Sequence, residues 1–441
     1  MSTPSGASLA TTESKDKRYV VYLIIIALFG WALTSYDSNL LTLTMPDIAK
    51  DLHLSASALG DLEFIVFGGE VIACLFVGWA MDRAGRKVMW MLCLGVAGVF
   101  TGLTFFVQDF WQLAVLRAIA SAFANAELAV SVTLVNEQVP ARRRGLLYSI
   151  VQGGWPVGVF FASGLFLLVG GFGWRVVYLF GVIPLILVAI GRWKVRESER
   201  FIHIKALRTA VKDGNDDEIA RLQATRPVKL EDLKQGSVRQ MFATPGAVRS
   251  SLTRLTITWL LYAISFVATN IFIAYWLTSV KGWTANGVAT LLLVCGGIGF
   301  FFYIIGGILG ERFGRRNVMI ASGCLVGPLA LALLLATSHT WVVIIFFCLY
   351  QVTNGTWSGA GYAYQAEVFP TRVRGTAVGW MAAMMVGGQL VGSAVWAGMT
   401  SATTLIVTWI VIAVVVGIAQ GVSTFFLPNI KPGQELETIV D

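Results

Sequence analysis

The chain has 441 residues, of which 56% are hydrophobic and only 13% are charged, whereas a soluble domain carries about a quarter charged residues. One hydrophobic core cannot bury so much apolar surface, because cores stop growing near roughly 250–300 residues. The composition therefore excludes a soluble single-core protein and predicts that apolar side chains face lipid. The mean hydropathy of +0.72 also excludes a disordered chain. The formal net charge of +8 suits a nucleic-acid partner only if the basic residues share one surface.

Twelve apolar stretches, each of about 20 residues or more, are long enough to cross a bilayer core of roughly 30 Å as a helix. They predict an all-α membrane protein with twelve transmembrane helices in two pseudo-symmetric six-helix bundles. The predicted spans, numbered first to twelfth, are 19–45, 57–81, 88–107, 110–138, 145–169, 174–192, 250–279, 285–309, 317–337, 341–366, 376–398 and 403–427.

A polar, charged segment, 193–249, separates the sixth span from the seventh. It contains an acidic run, Pro227 and Pro245, and these features predict a cytoplasmic linker with short amphipathic helices. The first 18 residues lack the charged-then-apolar order of a cleavable signal, so we expect a cytoplasmic tail there. The predicted organisation is an N-terminal tail (1–18), a six-helix bundle (19–192), the linker (193–249), a second six-helix bundle (250–427) and a C-terminal tail (428–441).

The distribution of Lys and Arg tests this topology, because cytoplasmic loops retain basic residues. With the N-terminus inside, the outer loops contain only Lys50, Arg175 and Lys281, and Arg117 lies within a span. All other basic residues fall on the cytoplasmic side or at its boundary. Topology thus explains the net charge, which argues against a nucleic-acid partner. It predicts a multi-pass protein of the inner or plasma membrane, with both termini in the cytoplasm.

Two loop signatures each occur twice, once in each half of the chain. Residues 82–87 (D-R-A-G-R-K) follow the second span and 311–316 (E-R-F-G-R-R) follow the eighth; 137–145 and 367–375 share the pattern E-x-x-P-x-R-x-R-G. Glycine permits the tight turn, and arginine can pair with an acid on a neighbouring helix. We therefore expect a breakable ionic gate at the cytoplasmic helix ends, formed by Asp82, Arg83, Arg86, Glu137, Glu311, Arg312, Arg315 and Glu367.

These paired loops resemble those of the major facilitator superfamily, and the resemblance extends along the whole chain. It implies two parallel halves that rock about a site near the middle of the membrane. Finer features are similar to the organic-acid:proton symporters of aromatic acids, sialate and related metabolites, and to the neighbouring sugar porters. These features are Ser-Tyr-Asp at 35–37, Arg117 with Glu127 ten residues later, Gly-Trp-Arg at 173–175, and residues 197–201, which resemble a P-E-S-P-R motif.

Asp37 and Arg117 are the most informative charged residues inside the spans. An ionised side chain near the bilayer centre costs about 2.5–3.5 kcal/mol, so each such residue needs a partner or a task. The resemblance implies that the first and fourth spans line the central cavity, where these two side chains can meet. We expect ionised Asp37 to hold Arg117 and protonated Asp37 to release it to an anionic substrate. The alternative is a permanent structural ion pair.

Other acidic residues lie at different predicted depths. Glu127 is near mid-depth and matches a glutamate of the sialate and related metabolite symporters, which makes it the second proton-carrier candidate; alternatively it hydrogen-bonds to a neighbouring helix. Glu70 is also near mid-depth, but it has no evident arginine partner, and we expect it to stay neutral or to pack between helices. Asp61 and Glu63 lie near the outer interface, where solvation is expected to accommodate them.

The second half has almost no charge within its spans, but polar residues recur at helical spacing on the seventh and tenth spans. We expect them to face a substrate cavity, because polar groups in such helices face protein or water. Hydrogen bonding between helices is the alternative for each residue. The predicted substrate-binding residues are Arg117, Trp155, Tyr262, Gln351, Asn354, Trp357, Ser358 and Tyr362.

The sequence contains no motif for ATP phosphates, no metal-binding cluster and no evident pairing of a nucleophile with a base. It therefore predicts a monomeric secondary transporter, not an enzyme, that needs no cofactor and uses the proton as its coupling ion. The predicted activity is uptake of a small organic anion, such as an aromatic or short-chain carboxylate, by symport and alternating access. The alternatives are a sugar or polyol:proton symporter and an efflux antiporter; a channel or a non-transporting sensor fits less well.

Overall fold

The computed structural model describes residues 6–138, 150–191, 195–197, 199–225, 247–336, 340–369 and 371–429. Over these residues the chain forms helices joined by short turns and contains no strand. The all-α architecture predicted from the lengths of the apolar stretches is confirmed.

The first half of the chain supplies the first six spans, and two shorter helices follow within the predicted linker. The six long helices are α1 (Gly6–Asp51), α2 (Ala56–Ala84), α3 (Arg86–Leu103), α4 (Phe110–Gln138), α5 (Gly154–Val169) and α6 (Trp174–Gly191). The two linker helices are α7 (Glu199–Asp213) and α8 (Asp216–Thr225).

The second half supplies the remaining six spans. A π-helical turn at Val267–Ile271 joins the two helices of the seventh span, and another at Ile410–Val415 joins those of the twelfth. The helices are α9 (Ala247–Phe266), α10 (Ile273–Lys281), α11 (Ala285–Phe313), α12 (Arg315–Leu335), α13 (Thr340–Glu367), α14 (Thr371–Ala402), α15 (Leu405–Trp409) and α16 (Val416–Thr424).

Among the described residues, nine helices are long and apolar enough to cross a membrane, and the sixth span adds a shorter apolar helix. The other two predicted spans correspond to α2 and α13. Within these helices, α2 contains the three acidic residues Asp61, Glu63 and Glu70, and α13 contains Gln351 and Asn354. Within the described residues, a helix therefore occupies each of the twelve predicted spans.

The two halves repeat one packing scheme. In the first half α1 packs on α5 and α2 on α4; in the second half α9 packs on α14 and α11 on α13. The halves meet where α5 packs on α11 and where α2 packs on α14. Each of these two contacts is the counterpart of the other, since both pair a second helix of one half with a fifth helix of the other half. This symmetry is what an internal parallel repeat requires.

Two ends of the bundle are named by their residues. The basic end contains the turns at 82–87 and 311–316, and the far end contains the turn between α1 and α2. At the far end the halves are in direct contact, since Trp396 Nε1 donates to the carbonyl oxygen of Ala56 at 3.2 Å and Ser57 Oγ donates to that of Ala397 at 2.9 Å. These bonds hold the second and eleventh spans together on this side.

The turn at the basic end of the first half depends on glycine for two reasons. Gly85 has φ of +102°, a left-handed conformation that suits only glycine without strain. A Cβ at this position would also lie 2.5 Å from a carboxylate oxygen of Glu197. That carboxylate accepts hydrogen bonds from the backbone N–H groups of Arg86 and Lys87, both at 3.1 Å, and so it caps the positive end of α3. Gly314 repeats the left-handed turn in the second half.

Helix boundaries differ from the predicted ones where no helix breaker stops the chain. α1 begins at Gly6, inside the segment 1–18 predicted as a tail, because residues 7–18 contain neither glycine nor proline. The described part of the fifth span has a turn at Gly153 before α5 begins, just ahead of Pro156. Pro156 then occupies the first turn of α5, where proline removes no helical hydrogen bond.

Candidate functional site

Asp37 of α1 and Arg117 of α4 form an ion pair inside the first half. Arg117 Nη2 lies 2.6 Å from Asp37 Oδ2, Nη1 donates to Oδ1 at 3.1 Å, and both side chains are 0% exposed. Such fork-like contacts between guanidinium and carboxylate are the strong form of the charge-assisted hydrogen bond. The structure therefore brings together the two charged residues that sequence analysis expected to meet.

Neighbouring helices complete the surroundings of this pair. Thr101 of α3 donates its hydroxyl to Asp37 Oδ1 at 2.6 Å. The guanidinium carbon of Arg117 lies 5.2 Å from the ring centroid of Tyr178 on α6, and the Tyr178 hydroxyl pairs with that of Thr44 at 3.1 Å. Four helices of the first half therefore contribute to one buried site. Thr101 and Tyr178 were not predicted, because neither is charged and neither belongs to a repeated motif.

Two further carboxylates lie within the first half. Glu127 of α4 is 0% exposed and accepts a hydrogen bond from the indole Nε1 of Trp90 on α3. Glu70 of α2 is 4% exposed and accepts a hydrogen bond from the amide Nδ2 of Asn125 on α4. Neither donor carries a charge. Glu127 faces a neighbouring helix, which is the geometry of its predicted alternative, and Glu70 packs between helices.

The expectation for Glu63 was wrong. Its side chain is 3% exposed, whereas Asp61, two residues earlier on the same helix, is exposed. Two residues turn the side chain by about 200° around the helix, so Asp61 and Glu63 occupy opposite faces of α2. Solvation accommodates Asp61 only. Glu63 is a buried carboxylate within electrostatic range of Arg117.

A chain of contacting aromatic rings crosses from the first half into the second. Trp155 of α5 packs on Trp31 with a centroid distance of 5.4 Å and on Phe266 of α9 at 5.6 Å. From Phe266 the chain continues to Tyr262 and then to Trp357. The rings of Tyr262 and Trp357 are stacked, with a centroid distance of 4.6 Å and an interplanar angle of 12°. The carbonyl oxygen of Trp155 accepts a hydrogen bond from Ser35 Oγ at 2.7 Å, so this chain begins two residues from Asp37.

The aromatic chain ends in a cluster within the second half. Trp259 contacts Tyr262, Trp357 and Tyr362, with centroid distances of 5.4, 5.3 and 4.9 Å. Trp259 and Trp357 are both buried. Sequence analysis included Trp155, Tyr262, Trp357 and Tyr362 but missed Trp31, Trp259 and Phe266. The sequence contained a signal for Trp259 and Phe266, since Trp259, Tyr262 and Phe266 recur at helical spacing along α9.

The polar residues of the seventh and tenth spans pair with one another in this structure. The Tyr262 hydroxyl and Ser358 Oγ are 2.9 Å apart, and Gln351 Nε2 donates to Asn270 Oδ1 at 3.0 Å. The carbonyl oxygen of Asn354 accepts from Ser358 Oγ at 2.9 Å. The hydrogen-bonding alternative thus describes the present contacts of Tyr262, Gln351 and Ser358. Their predicted role in substrate binding stays a prediction.

At the basic end, the second half holds an ion pair between neighbouring helices. Arg315 donates to both carboxylate oxygens of Glu367 and lies 3.9 Å from Glu311. These residues join the start of α12 to the end of α13. Arg312 is exposed at the surface, with its guanidinium 5.4 Å from the ring of Phe313.

Arg86, which occupies the position of Arg315 in the matching turn of the first half, has different contacts. Arg86 donates to the carbonyl oxygen of Met81 at 3.2 Å, and its guanidinium lies 4.8 Å from the ring of Phe201 on α7. Arg83 is exposed. The side chains of Asp82 and Glu137 lie outside the described residues. The predicted ionic gate is therefore visible in the second half, and its role in gating stays a prediction.

Comparisons with known proteins place this arrangement in a family. The sequence profile of the Major Facilitator Superfamily matches residues 27–309 and 255–439. The niacin transporter of Acinetobacter baylyi is 26% identical over 382 residues, covering 82% of this chain and 83% of that protein. The gallate transporter of Pseudomonas putida is 27% identical over 429 residues, covering 89% and 90%.

A solved structure shares the fold. The crystal structure of a D-xylose-proton symporter superimposes with a TM-score of 0.74 over 93% of this chain and 98% of that chain, at 16% sequence identity. At this identity the match concerns the fold alone. The family profile covers most of the sequence, so this chain belongs to the Major Facilitator Superfamily. It is a multi-pass membrane transporter and not an enzyme.

Proposed function

We propose that this transporter is a proton-coupled symporter that takes up a small organic anion, preferably an aromatic carboxylate, by alternating access. The observation that carries the proposal is the Asp37–Arg117 ion pair, which is completely buried between the first and fourth spans. A buried carboxylate can take up a proton, and a buried guanidinium can bind an anion. Both activities meet in one contact.

Charge balance couples the two activities. When Asp37 is protonated, Arg117 loses its counter-ion, and an uncompensated buried charge is strongly unfavourable. A substrate carboxylate restores neutrality, so protonated Asp37 favours the loaded carrier. When the substrate leaves, Asp37 must release its proton to pair with Arg117 again. Proton and anion therefore cross together.

The aromatic chain supports an aromatic body for the substrate. It begins beside Ser35 and ends at Trp259 and Tyr362 in the second half, so an anion held by Arg117 has rings to pack against. Offset or edge contacts between aromatic rings add roughly 0.5–1.5 kcal/mol beyond area burial. The relatives named for niacin and gallate support the same class, because both compounds are aromatic carboxylic acids.

Transport in proteoliposomes tests the proposal. Nicotinate, gallate, benzoate and xylose are offered under an inward proton gradient while lumenal pH is recorded. We expect at least one of the three acids to enter, to accumulate and to acidify the lumen, and xylose to remain outside. Accumulation of xylose alone would establish the sugar alternative, and acid entry coupled to lumenal alkalinisation would establish an antiporter. Ion current without saturation would establish a channel.

We further propose that the carrier acts as a monomer in the inner or plasma membrane, with the basic end and both termini in the cytoplasm. The supporting argument is the concentration of Lys and Arg at that end. Labelling of intact cells with a membrane-impermeant thiol reagent tests the orientation. Ser401→Cys at the far end should react, whereas Lys212→Cys on α7 should react only after lysis; both positions are exposed. The opposite pattern would invert the topology.

A further inference from the structure

We propose that Glu63 is a second acceptor for the Arg117 guanidinium and exchanges a proton with Asp37, so that Arg117 alternates between two carboxylates of the first half. The proposal rests on the proposed proton symport and adds a positioning residue to it. Three independent features of the structure support it: the burial of Glu63, an unused donor on Arg117, and the balance of charge in the first half.

Glu63 is a buried carboxylate on α2, the helix that packs on α4. It is 3% exposed, and among the described residues no hydrogen bond to its carboxyl group is found. The two helices approach closely at Gly69, where a Cβ would lie 3.0 Å from the carbonyl oxygen of Ala118, the neighbour of Arg117; Glu63 lies six residues, about 9 Å of helix, closer to the far end. Glu63 attracts Arg117 electrostatically. Since an ionised carboxylate is costly to bury, Glu63 carries the proton in the proposed exchange while Asp37 pairs with Arg117.

Arg117 has a buried donor to spare at Nε. Its two terminal nitrogens bind the Asp37 carboxylate and the Asp37 carbonyl oxygen. The Nε–H group is buried and has no hydrogen-bond partner within the described residues. A buried donor without an acceptor is unfavourable. The guanidinium can therefore gain a second acceptor without giving up its buried position.

The charge balance fixes how many protons the site holds. Arg117 contributes one positive charge, and Asp37 and Glu63 contribute two negative charges when both are ionised. The site is neutral only when one of the two carboxyls holds a proton. With a monovalent anion bound to Arg117, neutrality requires a proton on both carboxyls. One added proton therefore accompanies each bound anion, and the empty site keeps one proton for itself.

The exchange step conserves charge and atoms. In the first arrangement Arg117 pairs with ionised Asp37, and Glu63 carries the proton. The O–H bond of Glu63 then breaks, an O–H bond forms on Asp37, and Arg117 leaves Asp37 to donate to the Glu63 carboxylate. Both arrangements are neutral, so the step needs no oxidant, no co-reactant and no transfer of charge across the membrane.

The two carboxyls lie at different depths, which gives the exchange a direction. Glu63 is seven residues from the start of α2 at the far end, which corresponds to about 10 Å of helix, and Asp37 is fourteen residues from the end of α1, about 21 Å. The proton thus moves inward from the far end as Arg117 moves outward. The groups that interact electrostatically with Glu63 are Arg117, Glu70 and Tyr178. Residues 379–402 of α14, which packs on α2, contain no charged side chain.

A cycle of stability measurements tests the pairing without any transport assay. Melting temperatures of purified protein are compared for Asp37→Asn, Glu63→Gln and the double variant. Each single variant should melt close to the original protein, because the other carboxylate holds Arg117. The double variant leaves Arg117 without an anion, and it should lose several degrees more than the sum of the single losses. Additive losses would overturn the proposal.

Asp61 provides the matched control for this cycle. It is a carboxylate on the same helix, but it is exposed. Asp61→Asn combined with Asp37→Asn should give additive shifts in melting temperature. An excess loss of the same size as that seen with Glu63→Gln would show that any charge on α2 produces the effect, and it would overturn the assignment to Glu63.

Infrared difference spectra give a readout that a merely structural role would not move. The spectrum of the original protein minus that of Glu63→Gln should contain the C=O band of a protonated carboxyl. In the Asp37→Asn background the same subtraction should instead show a carboxylate, because Glu63 then pairs with Arg117. A protonated band in both backgrounds would overturn the exchange. Absence of proton-coupled uptake by the original protein would overturn the proposed symport but leave the pairing measurements interpretable.

Discussion

The two halves of the molecule share one packing scheme but differ in the chemistry of their interiors. The first half buries Arg117 together with Asp37, Glu63, Glu70 and Glu127, whereas the buried polar groups in the described part of the second half are hydroxyls and amides, such as Tyr262 and Ser358, which pair between α9 and α13. A duplicated fold therefore carries an asymmetric interior. The difference suggests a division of labour in which the first half handles proton and charge and the second half contacts the body of the substrate.

The largest expected effect removes Arg117, the arginine that is 0% exposed inside the first half. Arg117→Gln should abolish uptake and counterflow alike and should destabilise the protein by up to about 3–5 kcal/mol, because Asp37 loses its partner. Uptake, counterflow and thermal unfolding are measured on the same preparation. Arg254→Gln is the control, since Arg254 is an exposed arginine of the second half that binds the carbonyl oxygen of Phe426. Uptake within about threefold of the original would break the comparison between the halves.

The next effect separates accumulation from exchange. Asp37→Asn mimics the protonated carboxyl, so the variant should fail to accumulate substrate against a gradient but should retain counterflow at least in part. Exchange needs no deprotonation, which is why it survives. Proteoliposomes with and without a proton gradient distinguish the two activities. Equal loss of both, with Asp61→Asn unaffected, would identify the pair as a structural bridge.

A smaller effect is expected in the second half. Tyr262→Phe removes the hydroxyl that pairs with Ser358 but keeps the ring stacked on Trp357. If the Tyr262 hydroxyl exchanges this bond for one to the substrate, as the proposed site requires, its loss, about 1 kcal/mol, corresponds to roughly a fivefold fall in substrate affinity. The number of protons per substrate should stay the same. Binding titrations and lumenal pH traces measure both quantities.

Tyr364→Phe is the control for this variant, because Tyr364 donates instead to the carbonyl oxygen of Pro428 near the end of the described chain. It should leave substrate affinity unchanged. A change in proton stoichiometry in Tyr262→Phe would place coupling in both halves and remove the proposed division of labour.

The smallest effect concerns the basic end. Glu367→Gln breaks the ion pair between Glu367 and Arg315. These side chains are 39% and 13% exposed, so the pair contributes about 0–1 kcal/mol to stability. The balance between the two access states should shift by a few fold, without a change in intrinsic affinity. Reactivity of single cysteines placed at the two ends measures the balance.

Asp82→Asn sharpens this comparison, since Asp82 occupies the matching turn of the first half. We expect it to shift the accessibility ratio in the same direction and to lower the transport rate. An unchanged ratio combined with loss of binding would show that these turns do not form a gate and that the substrate site does not lie near the middle of the membrane.

The membrane interior and the basic end show where sequence reasoning succeeds. Apolar stretch length predicted a helix for every span, because a helix that crosses lipid must satisfy its own backbone and so depends on local sequence. The paired turns at Gly85 and Gly314 were predicted for the same reason, since a left-handed turn is a local property of glycine.

Contacts between helices follow another rule. Asp37 and Arg117 are 80 residues apart, and only the resemblance to a known family suggested that they meet. Trp90 and Asn125, which donate to Glu127 and Glu70, had no signal of their own, because an indole or an amide inside a span is usually only packing. The rotation of α2 also had to be known before Glu63 could be distinguished from Asp61.

Sequence alone determined that this chain is a membrane protein of two repeated six-helix halves, which charges lie inside the membrane, and that they are concentrated in the first half. These properties follow from composition, length and order along the chain. The tertiary structure decided which carboxylate holds the arginine, which neutral groups donate to Glu70 and Glu127, and that Glu63 is buried. Such choices depend on how helices rotate and approach one another, which is set by side-chain packing among distant segments and not by any local pattern.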